Sequence, residues 1–332
     1  MRWQFTRVLV LVAALGLAAA GCGKYSIGNL RATQAFQSGN EMYQKGQLKE
    51  ALVHYDNAIN YNPDLGYAYF FRGNVYDQMY KPTKRGEADN DVNLDKAVEN
   101  YRIAIDKLKS SPDRDTDASI AKILKLSYQY LIAAYGNDKL NDIEKALPVA
   151  QDLIATEPNE PTNYQAMGKL YEENGRYEEA EQNFTKAIEV KSDDPTAYEV
   201  LAGFYDRQGE VQKTLDALEK RAAMEPNNPE AWHTLGAKYS ETALKNTRLA
   251  REQAREYVLR GIAAEDQALK SNPEYFEGLA FKNILLRQQA NYERDPALQK
   301  RLLGEADQIK AQAEAIRRKQ NAAAAAPTQP KK

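Results

Sequence analysis

Small, aromatic and apolar residues recur along most of this chain at an interval of 34 positions. The interval is kept by a leading aromatic residue, by a small residue four positions later and by a tyrosine three positions after that. A fixed period of about 20 to 50 residues is typical of repeat arrays, whose units bury their apolar faces by stacking on one another. The matching positions are Tyr164, Tyr198 and Trp232; Gly168, Ala202 and Gly236; and Tyr171, Tyr205 and Tyr239.

The order of residue types within each period resembles the tetratricopeptide repeat (TPR). That order is aromatic, large apolar and small, Tyr, Gly, small, aromatic, Ala and Pro, and six such units cover residues 32–275. The resemblance implies an all-α fold: a right-handed superhelical solenoid of TPR helix pairs with a C-terminal capping helix. The fourth unit follows the pattern most closely, with Tyr164, Met167, Gly168, Tyr171, Gly175, Tyr177, Ala180, Phe184 and Ala187.

Each position of this pattern has a physical role in a pair of antiparallel helices. Small residues such as Gly73 and Ala97 let two helix backbones approach closely, and large residues such as Tyr101 fill the space between units. Glycine is expected at the turn between the two helices, and proline at the end of the second helix. The turn glycines are Gly46, Gly175 and Gly209, and the prolines are Pro63, Pro158, Pro226 and Pro273.

Two insertions interrupt the period. The second unit reaches its small helical residue, Ala97, 12 positions late, and its polar stretch at about 81–93 predicts a mobile loop. The sixth unit is 13 residues too long between Pro226 and Pro273, and its stretch at about 243–256 predicts an extended helix. Insertions in repeat arrays often line a binding face. Decoration without a function is the alternative.

The end of the array predicts a capping helical pair over residues 276–320. Its second helix begins at Pro296 and carries an apolar stripe on one face and basic residues on the other. A terminal repeat needs such a polar outer face, and a basic helix that binds a membrane or a partner is the alternative. The low-complexity residues 321–332 predict a disordered tail.

The N-terminus has the pattern of an export signal. Arg2 and Arg7 precede an apolar run of 13 residues, which is shorter than the roughly 20 residues of a membrane-spanning helix. The run leads to Cys22 through Ala-Ala-Ala-Gly and resembles the lipobox of bacterial lipoproteins, with Ala19 where leucine is usual. The resemblance implies a signal peptide at 1–21, lipidation of Cys22 and a tether at 22–31.

Ordinary cleavage before Gly21 is the alternative, and it would leave an unpaired thiol in an oxidising compartment. With lipidation, the protein is expected to be anchored in the bacterial envelope and to face the periplasm. Gly23 follows the cysteine where aspartate would mark retention, so the outer membrane is favoured over the inner one.

Charge and composition exclude several functional classes. The 45 basic and 47 acidic residues give a net charge of −2, which lacks the basic character of nucleic-acid-binding domains. One Cys and two His exclude a Cys/His metal cluster within one chain. His54 and His233 are distant in the array, and each is expected to be a surface or packing residue. Since no catalytic or phosphate-binding motif occurs, neither enzyme activity nor a metal or cofactor is predicted.

The candidate site is the groove that the first helices of the repeats line in this family. Two asparagines recur at one register, 34 positions apart, and an extended peptide could be bridged by their amides. The alternative is that the phenylalanines pack between helices and the asparagines are solvated. The family's carboxylate-binding version needs Lys or Arg where Phe36 and Phe70 stand. The peptide-binding candidates are Phe36, Asn40, Tyr43, Tyr67, Phe70 and Asn74.

These features together predict a lipid-anchored scaffold that binds proteins or extended peptides at the cell envelope. The processes considered are outer-membrane assembly, secretion or pilus biogenesis, and control of cell-wall enzymes. The alternatives are an envelope hydrolase with a solenoid body and a self-assembling structural array. The sequence leaves the oligomeric state open.

Overall fold

The computed structural model describes residues 26–245 and 249–325. Over these residues the chain forms 14 α-helices and one short 3-10 turn, and it forms no β-strand. Helices that follow one another in the sequence pack side by side. The predicted all-α fold of consecutive helix pairs is confirmed.

The chain divides into two compact units, and the division falls within helix α7. Unit 1 extends to Pro158 and includes Lys169–Arg176, whereas unit 2 comprises Asn159–Gly168 and the residues from Tyr177 onwards. Unit 1 contains α1 (Ile27–Gln44), α2 (Leu48–Tyr61), α3 (Gly66–Met79), α4 (Ala88–Lys109), α5 (Ala118–Tyr135) and α6 (Ile143–Thr156). Helix α7 is Pro161–Glu173, and unit 2 continues with α8 (Tyr177–Val190), α9 (Pro195–Gln208), α10 (Val211–Met224), α11 (Pro229–Lys245), α12 (Arg251–Ser271), α13 (Phe276–Tyr292) and α14 (Pro296–Ala325).

Helix α9 shows how local sequence sets the ends of these helices. The side chain of Asp194 accepts a hydrogen bond from the Thr196 amide at 3.0 Å, and Pro195 takes the first helical position, where no amide is needed. Gly209 ends the helix with φ of 74°, a left-handed conformation that favours glycine. The turn predicted at Gly209 is therefore present.

Two glycines of unit 1 lie directly against tyrosines of the following helix. A Cβ atom at Gly39 would be 2.6 Å from the ring of Tyr55, and one at Gly73 would be 2.8 Å from the ring of Tyr101. Both rings are fully buried, so they have no room to move aside. Only glycine allows this close approach of the helices, as the repeat pattern predicts.

The same contact occurs once at the start of unit 2. A Cβ atom at Gly168 of α7 would be 3.0 Å from the ring of Phe184 on α8. Further along, Leu215, Leu235 and Tyr239 form the centre of a buried cluster between α10 and α11. The first, second and fourth repeats therefore share one kind of core contact, built from a glycine on one helix and an aromatic ring on the next.

The second half of the first insertion is helical and differs from the expected mobile loop, because it forms the start of helix α4. This helix is 22 residues long. The first half of the insertion contains the 3-10 turn at Pro82–Lys84. Buried Asn90 fixes this turn, because its oxygen accepts from the Lys81 amide at 2.8 Å and its amino group donates to the Lys84 carbonyl at 3.1 Å. A polar stretch without hydrophobic periodicity is thus ordered by one asparagine.

At the second insertion, α11 continues to Lys245 and α12 begins at Arg251, whereas residues 246–248 lie outside the described residues. Helices α13 and α14 occupy the segment assigned to the capping pair. Helix α14 continues through 321–325, within the segment expected to be disordered, since alanine is the strongest helix former. Residues 326–332 lie outside the described residues.

The predicted signal peptide and Cys22 also lie outside the described residues. The described chain enters α1 at Ser26, whose hydroxyl oxygen accepts a hydrogen bond from the Asn29 amide at 3.2 Å. Residues 27–31, which were expected to be part of a tether, are therefore helical. Among the described helices, none is both long and apolar enough to cross a membrane.

Candidate functional site

Two predicted binding residues, Phe36 and Tyr67, lie in an aromatic cluster of unit 1. The ring of Phe36 on α1 is 4.7 Å from that of Tyr67 and 5.3 Å from that of Phe71, both on α3. It also contacts the buried Tyr55 of α2, at 5.8 Å. Phe36 therefore packs between helices, while Tyr67 also lines a cavity of about 450 Å³.

Phe70 lies in a second aromatic cluster, and this cluster includes a residue that the repeat pattern missed. Its ring is 6.0 Å from Tyr101 and 5.5 Å from Tyr130 of α5. Phe70 is buried, whereas 40% of Tyr130 is exposed. Tyr130 lies between Tyr128 and Leu131, which keep the repeat pattern in a third unit that follows it only loosely, so the period gave no signal for Tyr130.

Asn40 and Asn74 do occupy equivalent positions, but each holds together the two helices of its own repeat. The Tyr55 hydroxyl donates to Oδ1 of Asn40 at 2.7 Å, and the Tyr101 hydroxyl donates to Oδ1 of Asn74 at 2.9 Å. Asn74 is buried and Asn40 is half-buried. Each oxygen already accepts one of its two possible hydrogen bonds, so the amino group is the larger part of each amide that these tyrosines leave for a peptide.

Tyr43 is partly buried beside an ion pair that the sequence did not reveal. Burial raises the pKa of Tyr43, and Tyr130 and Asp77 act in the same direction, so its hydroxyl is neutral near pH 7. The Lys139 ammonium lies 2.5 Å from Oδ1 of Asp77 and 2.8 Å from Oδ2. We name Asn40, Tyr43, Asp77 and Tyr130 the unit 1 surface, since all four keep some exposure.

Unit 2 contains a pocket of about 750 Å³, the unit 2 pocket, which α9, α10, α11 and α13 line. Part of its wall is apolar and open to solvent: 60% of Leu244 and 42% of Ile284 are exposed, and Phe281 lies beside them. Clusters of exposed large apolar side chains mark interaction sites. The lining residues are Glu199, Ala202, Gly203, Asp206, Thr214, Leu218, His233, Thr234, Ala237, Lys238, Ser240, Glu241, Leu244, Lys245, Phe281 and Ile284.

The charged side chains around this pocket are paired with one another. Lys238 contacts Asp206 and lies 3.1 Å from Glu241, which also pairs with Lys245 at 2.6 Å. Burial disfavours the charge on Lys238, but the hydrogen bonds to its two acidic partners outweigh that effect and raise its pKa. These ion pairs leave the wall with little free charge of either sign.

His233 also lines the pocket, and a buried carboxyl group lies behind it. Nδ1 of His233 is 2.9 Å from Oε1 of Glu265 on α12. Glu265 is fully buried, and its Oε2 has no hydrogen-bond partner among the described residues. Burial raises the pKa of Glu265 to about 7, although the contact with His233 opposes the rise. His233 is thus a partly buried residue that packs against Phe281 and Tyr275, and it also contacts a buried carboxyl group that the sequence did not reveal.

The described residues contain no group of three or more His, Cys, Asp or Glu side chains arranged to hold a metal ion. The two surfaces present phenol, amide and imidazole groups and paired charged groups beside aromatic and aliphatic side chains. Such groups suit the recognition of a peptide.

Comparison with family models identifies two segments of the chain. Residues 39–79 match the model described as TPR repeat, and residues 171–239 match the model described as Tetratricopeptide repeat. These segments are tetratricopeptide repeats. The TPR resemblance inferred from the 34-residue period is thereby confirmed for them. Among curated proteins, no significant match is found.

One solved TPR structure resembles this chain in fold, and others match it over a smaller share of the chain. The C-terminal part of a TPR repeat-containing protein from Cytophaga hutchinsonii is 16% identical, with a TM-score of 0.51 over 85% of this chain and 95% of that one. The MamA protein is 17% identical, with a TM-score of 0.41 over 62% of this chain and 98% of that one. YrrB, described as a TPR protein with an unusual peptide-binding site, is 18% identical, with a TM-score of 0.37 over 60% and 89%.

The TPR register shows what is unusual about Glu265. In the first repeat, the aromatic Tyr55 follows Gly39 by 16 positions. Glu265 follows Gly236 by 29 positions, which is 16 plus the 13 inserted residues. A Cβ atom at Gly236 would be 2.8 Å from Oε1 of Glu265. A carboxyl group therefore fills the space that a ring fills elsewhere, and subtracting the insertion from the sequence would have revealed it.

Proposed function

We propose that this chain is a TPR scaffold that binds other proteins at the bacterial cell envelope, held there by a lipid on Cys22 and facing the periplasm. The TPR fold supports the general part of this proposal, because the fold presents helix-lined surfaces to other proteins. TPR proteins are typically non-catalytic, which favours a binding role over an enzymatic one. The export pattern of residues 1–22 supports the location.

The observation that carries the proposal is the exposed phenol of Tyr130 on the unit 1 surface. Its ring is held in place by Phe70 and Tyr101, while 40% of it faces solvent. A tyrosine fixed by packing loses little conformational freedom when it binds a partner, and tyrosine is enriched among the residues that dominate binding energies. The amino group of Asn40, which is half-buried in the same unit, supplies a hydrogen-bond donor for a peptide carbonyl.

A lipid anchor would make such a surface effective at modest affinity. Two acyl chains hold a protein stably on a membrane, and co-localisation raises the effective concentration of membrane-bound partners. Outer-membrane assembly, secretion or pilus biogenesis, and control of cell-wall enzymes all need proteins gathered in this way. The favoured location is the outer membrane, because Gly23 follows the cysteine.

The test compares Tyr130→Ala with Tyr177→Ala in the full-length lipidated protein. Tyr177 is a matched control, since it is also a solvent-exposed helical tyrosine, 49% exposed, but lies in unit 2. Partners are captured from the envelope and quantified by mass spectrometry. We expect Tyr130→Ala to lose its partners about tenfold or more, the effect of a binding hot spot, and Tyr177→Ala to keep them. Equal capture by both variants would refute the role of the unit 1 surface.

A second arm tests the location. Cys22→Ser is expected to move the protein from the membrane fraction to the soluble fraction or to leave it unprocessed. Wild-type protein that is already soluble after cell breakage at low salt would contradict lipid anchoring. Sedimentation at increasing protein concentration distinguishes a scaffold from a self-assembling array, because the oligomers of an array would become larger as the concentration rises. Hydrolysis of isolated cell-wall polymers would instead favour the hydrolase.

A further inference from the structure

In the sixth repeat, the buried carboxyl group of Glu265 lies next to His233, the histidine that lines the unit 2 pocket. Glu265 is fully buried, and 17% of the His233 side chain is exposed. The ring of His233 is held edge-on by Phe281 at 4.8 Å and Tyr275 at 5.7 Å. Because Nδ1 is directed at Glu265, the nitrogen left for a ligand is Nε2, which has no hydrogen-bond partner among the described residues.

The number of protons on this pair decides what Nε2 offers to a ligand. When Glu265 is ionised and His233 is neutral, Nδ1 carries the hydrogen and donates it to Oε1, so Nε2 can only accept. One more proton makes either an imidazolium beside a carboxylate or a neutral ring beside a protonated carboxyl group. Nε2 carries a hydrogen in the first arrangement, and in the second when the carboxyl proton lies on Oε1 and is donated to Nδ1. Uptake of one proton in either of these ways converts Nε2 from an acceptor to a donor.

Other charges near the pair act on it only weakly. Asp266, beside Glu265 on α12, favours protonation of Glu265, and its carboxylate is paired with Lys282 of α13 at 2.7 Å. Tyr275 faces the pair from the start of α13, and burial raises its pKa, so it stays neutral. Glu230 of α11 and Glu277 of α13 act on Tyr275 in the same direction. Burial of Glu265, which raises its pKa to about 7, is thus the effect that brings a carboxyl group of this site to neutral pH.

The rest of the pocket defines the ligand that would meet this donor. Its charged side chains are already paired with one another, including Glu199 with Arg221 at 3.3 Å. Its open wall is apolar, formed by Leu244, Phe281 and Ile284. A ligand that suits both parts has a carboxylate for Nε2 and a large apolar side chain beside it.

We propose that the unit 2 pocket binds a carboxylate-bearing apolar segment of a partner protein, with the carboxylate accepting a hydrogen bond from Nε2 of His233, and that proton uptake by the His233–Glu265 pair strengthens this binding. This inference rests on the protein-binding role proposed above. It adds the chemical class of the ligand and an effect of pH on the strength of binding. The carboxylate belongs to an Asp or Glu side chain or to a C-terminus.

Three short peptides distinguish these sources when they are titrated into the purified full-length protein. Ac-Ala-Ala-Leu-Glu-Ala-NH2 carries a side-chain carboxylate, Ac-Ala-Ala-Ala-Leu carries a C-terminal carboxylate, and Ac-Ala-Ala-Leu-Gln-Ala-NH2 carries neither. The chain has only two histidines, so histidine-labelled protein gives two ring signals in an NMR spectrum, and His54 is the internal control. His54→Gln assigns the two signals.

We expect at least one carboxylate peptide to move the His233 signal and leave the His54 signal in place. Its affinity is expected to fall about tenfold between pH 6 and pH 8.5, because a hydrogen bond to a charged group contributes about this much. The glutamine peptide should bind more weakly at pH 6 and show no pH dependence. Equal affinities for the glutamate and glutamine peptides, with no response to the terminal carboxylate, would overturn the proposal.

Two variants separate the pair from other titrating groups. His233→Gln removes the ring that carries Nε2 and should lose the pH dependence. Glu265→Gln removes one of the two titratable groups, keeps a neutral hydrogen-bond partner for Nδ1 and should shift the pH at which binding weakens. Full pH dependence in folded His233→Gln, or an unchanged midpoint in folded Glu265→Gln, would refute the switch. Tyr130 lies in unit 1, so the peptide titrations do not test it. If partner capture did not depend on Tyr130, the proposed unit 1 surface would be refuted, whereas the proposal for the unit 2 pocket would still be decided by the titrations.

Discussion

The second repeat, in unit 1, and the sixth repeat, in unit 2, solve the same packing problem with different chemistry. In the second repeat, Tyr101 packs against Gly73 and its hydroxyl donates to Asn74, so a buried polar atom is satisfied by a neutral partner. In the sixth repeat, Glu265 packs against Gly236, and its partner is His233. Burial raises the pKa of Tyr101 further above neutrality, so that contact is insensitive to pH. One TPR position can therefore hold either a hydrogen bond that is insensitive to pH, as at Tyr101, or a carboxyl group whose pKa burial raises, as at Glu265.

The largest expected effect is on the pH dependence of stability at Glu265. Its pKa is raised from 4.5 to about 7 in the folded chain, so folding favours the protonated form. The stability that protonated Glu265 contributes to the folded chain is complete below pH 4.5, and it is lost as the pH rises through 7. The shift corresponds to about 3 kcal/mol. Glu265→Gln keeps a neutral side chain of the same size. Its free energy of unfolding, relative to that of wild type, should therefore rise by about 3 kcal/mol when the pH increases from 4.5 to 8.5.

Chemical unfolding monitored by circular dichroism at both pH values measures this difference. Tyr101→Phe serves as the unit 1 counterpart, since it changes a neutral buried contact at the same register. Its effect on stability should be the same at pH 4.5 and pH 8.5. If Glu265→Gln showed the same offset at both pH values, the carboxyl group would not be the titrating site.

The next effect is steric and belongs to unit 1. Gly73→Ala would place a Cβ atom 2.8 Å from the fully buried ring of Tyr101, and overpacking of this kind costs about 1–3 kcal/mol. Gly304→Ala on α14 is the matched control, because a Cβ atom there has no neighbour within 4 Å. It should stabilise the helix by up to about 1 kcal/mol. Thermal melts that shift in the same direction for both variants would contradict the assigned register.

Much of the fold follows from the sequence because it depends on local geometry repeated at one interval. Gly168 and Phe184 keep the 16-position spacing of Gly39 and Tyr55, and the turn at Gly209 follows from glycine's access to positive φ. The order around Asn90 could not be predicted, because it depends on hydrogen bonds to a turn that the period does not describe. The TPR pattern therefore predicts how helices pack but not how insertions fold.

The candidate site was less predictable, since its chemistry depends on contacts between helices. The pattern brought Asn40 and Asn74 to one register but could not show that tyrosines of the next helices occupy their oxygens. It missed Tyr130, which lies off the register. Glu265 was hidden by the insertion before it, although its spacing from Gly236 contains the signal. Partner atoms from a second helix decide which polar groups are free to bind.

The smallest expected effect compares these two asparagines, which make the same bond at different depths. Removing Asn74 leaves the Tyr101 hydroxyl buried without an acceptor, so Asn74→Ala should cost about 1–3 kcal/mol. Asn40 is half-buried, and water can replace its oxygen, so Asn40→Ala should cost only about 0.5–1 kcal/mol. Chemical unfolding of the two single variants measures the difference, and equal costs would show that depth does not govern this bond. Because Asn74→Ala weakens the fold, Asn40→Ala is the cleaner variant for testing whether an asparagine amino group of the unit 1 surface binds a peptide.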